Sequence, residues 1–182
     1  MTHQQGFPTP PSSKVASFIC AAVAMAMIAG CSRSTPVPEL LAGAERALLV
    51  SDSAKVEELV SQIPTDSDKW QAGQLLAGEA ATKAGRYQSA LNFYLAAAER
   101  DEKTSDGLLA QFSAAEIYLE VSQLTQAEQL YRQVLITQPG NELTNERMAF
   151  LLSMTGRRWH ALDHYFVLIK GGQAGYRELA LA

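Results

Sequence analysis

Cysteine is nearly absent from this chain. Only Cys20 and Cys31 carry a thiol, one inside and one at the end of the same N-terminal apolar run. The remainder therefore has no disulfide and no cysteine metal site. Basic charge is also scarce. Lys14 is the one Lys, Arg, Asp or Glu before Cys31, so the rest of the chain holds all 19 acidic groups and all but one of the 15 basic ones. An acidic chain without a basic stripe excludes nucleic acid as a partner. Arg157-Arg158 is the single adjacent basic pair and reads as a solvated turn. No G-x-S-x-G, no phosphate-binding glycine loop and no Cys–His pairing occur. Glu57-Glu58 and Asp101-Glu102 lie on a helix surface and in a loop, not across a cleft as paired glycosidase carboxylates must. Neither an enzyme nor a cofactor is implied.

Two histidines test that reading. His160 and His164 are spaced i, i+4 with Asp163 between them, a separation that can hold zinc on one helix face. No Glu follows His160 and no third ligand is near in sequence, so no metal site is assigned. The expectation is two surface histidines.

What is present begins with an address. Val15 to Ile28 is an uncharged apolar run directly after Lys14. It is shorter than the ~20 residues a helix needs to span a bilayer, and it fits a secretory signal. It ends in Ile28-Ala29-Gly30-Cys31, which resembles the bacterial lipobox. The resemblance implies that residues 1–30 are a cleaved signal peptide and that Cys31 becomes a lipidated N-terminus. Ser32 follows where an inner-membrane retention signal would place Asp, which implies the outer membrane, facing the periplasm. Residues 31–37 read as a polar tether.

Between positions 70 and 170 Ala and Leu are abundant, which favours helix. Ala-x-x-x-Tyr recurs as Ala90/Tyr94, Ala127/Tyr131 and Ala161/Tyr165. The step from Ala90 to Ala127 is three positions longer than the step from Ala127 to Ala161, as an insertion near Ser105-Asp106-Gly107 would make it. Residues 71–104, 108–141 and 142–175 overlay. Gly78, Ala115 and Ala149 form a second small-residue column, and Gly85 and Gly156 open two of the turns. On these residues, with Tyr118 and Pro139, the chain resembles the tetratricopeptide repeat (TPR) family, whose helix–turn–helix units are about 34 residues long. It departs from the pattern at Gln74, Gln111 and Asn145 (the early Trp position), at Ser122-Gln123-Leu124 (a turn without Gly) and at Glu102 (a Pro position).

The resemblance implies an all-α, right-handed solenoid whose 71–175 region holds three repeats. Residues 38–66 read as a divergent capping hairpin. Leu40-Leu41-Ala42-Gly43 echoes Leu75-Leu76-Ala77-Gly78, and Val56 and Val60 precede Ala90 and Tyr94 by the same step that separates Ala127 from Ala161. By family register the concave face carries Leu75, Glu79 and Lys83, then Phe112, Glu116 and Glu120, then Glu146, Arg147 and Phe150. That is an apolar and acidic groove, suited to a protein segment with apolar anchors and basic flanks. Residues 176–182 read as the opening of a further first helix. The expectation is that they leave Tyr165 and Leu168 uncovered, so that the end is completed by further residues, a second copy or a partner helix. The function expected is a lipid-anchored exported scaffold for protein–protein interaction or complex assembly. The alternative is the repeat region of a larger protein with its activity downstream, and behind it a metal-binding protein or enzyme using the two histidines.

Overall fold

The computed structural model describes residues 35–172. The signal segment, Cys31 and residues 176–182 lie outside the described residues. The chain divides into two units, Met1–Thr35 and Pro36–Ala182, and the architecture below is that of the second.

Eight helices and no strand occur among the described residues. They pair into four hairpins: α1 (Val37–Leu49) with α2 (Ser53–Ser61), α3 (Trp70–Lys83) with α4 (Tyr87–Arg100), α5 (Ser105–Glu120) with α6 (Leu124–Thr137), and α7 (Glu142–Met154) with α8 (Arg158–Lys170). Local chemistry sets the boundaries. The Asp52, Thr104 and Asn141 side chains cap α2, α5 and α7 by accepting from the backbone N–H three residues on, which satisfies an otherwise orphaned donor. Each hairpin turn has one residue in the left-handed region: Ser51 (φ 58°), Gly85 (φ 70°), Ser122 (φ 60°) and Gly156 (φ 76°). Ser122 therefore does without glycine what Gly85 and Gly156 do with it, at a cost of about 1–2 kcal/mol.

These four turns fix the phase of the hairpins more sharply than any sequence pattern. Counting from them, Val56, Ala90, Ala127 and Ala161 are equivalent and all buried, as are Val60, Tyr94, Tyr131 and Tyr165. Ala44, Gly78, Ala115 and Ala149 form the facing column. The Leu40–Gly43 echo is thus one residue out of phase: Ala44, not Gly43, is the counterpart of Gly78. Close approach explains why this column is small. A Cβ on Gly78 would lie 2.5 Å from the Tyr94 ring. The insertion in the second repeat extends the start of α5, which has 16 residues against 14 in α3 and 13 in α7. Gly107 is needed there, because a Cβ would strike the Asp101 carbonyl oxygen.

The core runs along the solenoid as small clusters, one shared across each joint between hairpins. Tyr131, Val134, Leu151 and Leu168 are almost wholly enclosed, and each enclosed aliphatic side chain contributes ~1.5–3 kcal/mol. Adjacent first helices touch (α1 with α3, α3 with α5), while adjacent second helices do not approach so closely. The row of first helices therefore lies on the inside of the curve. Tyr165 and Leu168 are 9% and 1% exposed. The expectation that the last hairpin leaves them bare is overturned; the exposed apolar side chains of this hairpin include Trp159, Met154, Phe166 and Phe150 instead.

Candidate interaction surfaces

The concave side holds a recess of about 410 Å³ where α1, α3 and α5 meet. Its lining includes Leu41, Leu75, Leu76, Leu109 and Tyr94, with Glu45 and Glu79 at the margin. Leu75 is half-buried against the core of the first two repeats. Glu79 pairs with Lys83 at 2.8 Å along the same helix, and both are well exposed. An i, i+4 pair of this kind contributes only a few tenths of a kcal/mol, so a ligand cation can replace Lys83 on Glu79 at little cost.

The central part of the face is engaged within the fold. Glu116 is not an unengaged groove acid. The Tyr131 hydroxyl donates to one of its oxygens, and the other lies 3.2 Å from Arg147 Nε, an ion pair at an angle unsuited to a hydrogen bond. Burial, then the bond to Glu116, push the Tyr131 hydroxyl pKa well up, so the phenol stays protonated and donating. Glu116 reaches sideways because the next repeat puts an arginine beside it, which helix periodicity alone does not reveal. Phe112 packs half-buried against the second and third repeats, its ring 5.8 Å from that of Tyr131. Phe150 is 48% exposed. Glu120 is exposed near the end of α5, and Glu146 is half-buried on α7. The predicted residues thus form two groups. Leu75 and Glu79 line the recess with Lys83 paired at its edge, whereas Phe112, Glu116 and Arg147 join the second repeat to the third.

The convex side holds a second recess, of about 390 Å³, between α6 and α8. Leu135, Met148 and Leu152 help form its apolar lining; Glu128, Arg132, Arg157 and both α8 histidines supply its polar walls. Arg157 stands at the turn before α8 with its side chain partly exposed, and it is engaged there. It grips Glu128 with two bonds of 2.9 and 2.6 Å, while Arg132 adds a third at 2.6 Å. The Arg157 hydrogen bonds hold the Glu128 carboxyl below its usual range. The partners come from successive repeats, and an ion pair without hydrogen-bond geometry stands at the equivalent repeat positions of the first joint, where Arg86 lies 2.6 Å from Glu57.

The two histidines separate. His160 is exposed. His164 is half-buried, 2.8 Å from Asn145 Oδ1, which corrects the expectation of two surface histidines. Asn145 Nδ2 donates to the carbonyls of Pro139 and Asn141. Its Oδ1 is therefore the acceptor, and the His164 Nδ1–H donates to it. Burial lowers the His164 pKa, so the ring is neutral near pH 7. No group of three or more His, Cys, Asp or Glu suited to a metal occurs among the described residues. None of the described helices is long and apolar enough to cross a membrane.

No protein-family model matches the chain, and a sequence search of curated proteins finds no relative. Solved structures do resemble it. A crystal structure of MamA matches with a TM-score of 0.68 at 13% identity, covering 90% of this chain and 94% of that one. A second MamA structure gives 0.63 at 16% identity over 80% and 79%. The nearly identical TPR-like repeats of a putative kinesin light chain from Podosopora anserina give 0.60 at 16% identity over 76% and 77%. Identities this low carry fold alone, and the fold they carry is that of the TPR-like, all-α solenoids of stacked helical hairpins.

Proposed function

We propose that this protein is a scaffold that captures a protein segment on its concave face, and that it works at the bacterial envelope, anchored by lipid at Cys31 in the outer membrane and facing the periplasm. The observation that carries the binding part is the recess between α1, α3 and α5: an apolar lining with Glu45 and Glu79 at its margin. Burial of an aliphatic or aromatic anchor supplies affinity there, and a Lys or Arg beside the anchor meets the acidic margin. The anchoring part rests on Ile28-Ala29-Gly30-Cys31.

One experiment in the native host addresses both parts separately. Cells are fed labelled palmitate and then treated with a cross-linker. The wild-type chain should take up label, and Cys31→Ser should not. Glu45→Lys/Glu79→Lys should keep the label and lose the cross-linked partner. Failure of the wild type to incorporate label removes the anchor, and partner capture by the folded double variant at wild-type yield removes the recess.

A further inference from the structure

The joint between the second and third repeats lacks a contact that both earlier joints have, and it carries an ion pair on each flank where the first joint has one on the convex flank. In both earlier joints adjacent first helices touch; here α5 and α7 make at most passing contact. Apolar packing persists along the middle of the joint, where Tyr131, Met148 and Leu152 share one cluster. Charged side chains span both flanks. On the concave side Arg147 reaches Glu116 at 3.2 Å. On the convex side Arg157 holds Glu128 beside the open recess.

We propose that this joint is an ion-clamped hinge, with the α7–α8 hairpin turning about the Tyr131–Met148 contact and the two ion pairs acting as catches. Close-packed apolar surfaces have one favourable arrangement, because separating them by a fraction of an ångström forfeits contact energy. An ion pair between long, solvent-touched side chains has no such minimum. Water replaces it at little cost, and salt weakens it. The Arg147–Glu116 pair is open to water at both ends and is the weaker catch; Glu128 is largely enclosed beneath a partly exposed Arg157 and is the firmer one. Release of the catches lets α7 move relative to α5 and changes the distance from Phe112 to Phe150 on the concave face. Whatever neutralises Glu128 or occupies the convex recess would thereby alter the opposite face. This device goes beyond the proposed function and stands independently of what the concave recess binds.

Electron–electron distance measurements on the full chain in detergent test the hinge, with Cys20→Ser and Cys31→Ser and spin labels on exposed sites. Labels at 133 and 170 report the hinged joint; labels at 92 and 129 report the joint before it. Raising salt from about 0.05 M to about 0.5 M should broaden the first distribution about twofold and leave the second unchanged. Glu128→Gln, which keeps the shape and removes the charge, should broaden the first at low salt. Glu128→Leu/Arg132→Leu/His164→Leu, which copies Leu91, Leu95 and Leu130 of the preceding joint, should narrow it at both salt levels. Equal, salt-independent widths at the two joints overturn the proposal, as does an unchanged width in Glu128→Gln. If circular dichroism shows the triple variant unfolded, the Gln variant and the salt series decide.

Discussion

Leu91, Leu95 and Leu130 meet in the crease between α4 and α6 and pack on one apolar cluster. In the crease between α6 and α8 the equivalent positions, one repeat further along, are Glu128, Arg132 and His164. The two creases set equivalent repeat positions to opposite chemistry. The lesson is that a helical-repeat fold needs apolar side chains along its hairpin interiors and tolerates either kind in the creases, so a crease is where a chain can place function without losing its shape. The concave face shows the same division. Its first half offers an apolar recess with acids at the edge, while its second half spends Glu116 and Arg147 on each other.

The contrast can be broken most forcefully at the apolar crease. Leu91→Ala should cost about 2–4 kcal/mol, because Leu91 is buried. The loss, read by urea unfolding, should not depend on salt. Next in size is overpacking within a hairpin. Ala127 is fully enclosed, and Ala127→Leu should cost ~1–3 kcal/mol, whereas Gln129→Leu on the exposed face of α6 should change the melting midpoint little. Equal shifts for the two would contradict the repeat phase.

The polar crease should answer more weakly and with a different signature. Glu128→Gln should cost about 1–2 kcal/mol, because Glu128 is largely enclosed and held by two bonds from Arg157, and the difference from wild type should shrink as salt rises. The smallest effect is that of pH. Burial holds the folded-state pKa of His164 below the ordinary value of about 6.5, so below that pH the unfolded chain binds more protons than the folded one. Stability should fall as pH drops from about 6.5 toward the folded-state pKa, and His164→Gln should flatten that slope in unfolding curves at a series of pH values. The Glu128 carboxyl has the opposite bias. Its contribution is present above the ordinary carboxylate pKa and lost as pH falls through the lowered folded value.

The hairpin interiors were legible in the sequence because small residues and tyrosines recur at fixed spacing, and each has a local steric reason: Gly78 lies under the Tyr94 ring. The left-handed turn at Ser51 was not, since serine does not announce φ 58°. The ion-pair partners of Glu116 and Arg157 were not legible, for a shared reason. Periodicity tells which face of a helix a residue occupies, not which long side chain from the next repeat will reach it. The Glu128–Arg157 staple could have been found by aligning it with Glu57 and Arg86, a comparison that requires the turn phase first. Asn145 appeared only as a departure from the repeat pattern, yet it is buried and orients His164.

The central claim is that the concave recess, not the convex surface, engages the partner. The most direct measurement places a photo-activated cross-linking side chain at Leu109, which lines the recess, or at Gln129, on exposed α6, in the full chain expressed in its native host. The account predicts one strong adduct from position 109, its disappearance when Glu45 and Glu79 are replaced by Lys, and no matching adduct from position 129. An adduct of equal yield from position 129, or one from position 109 that survives the charge reversal in the folded protein, would contradict it.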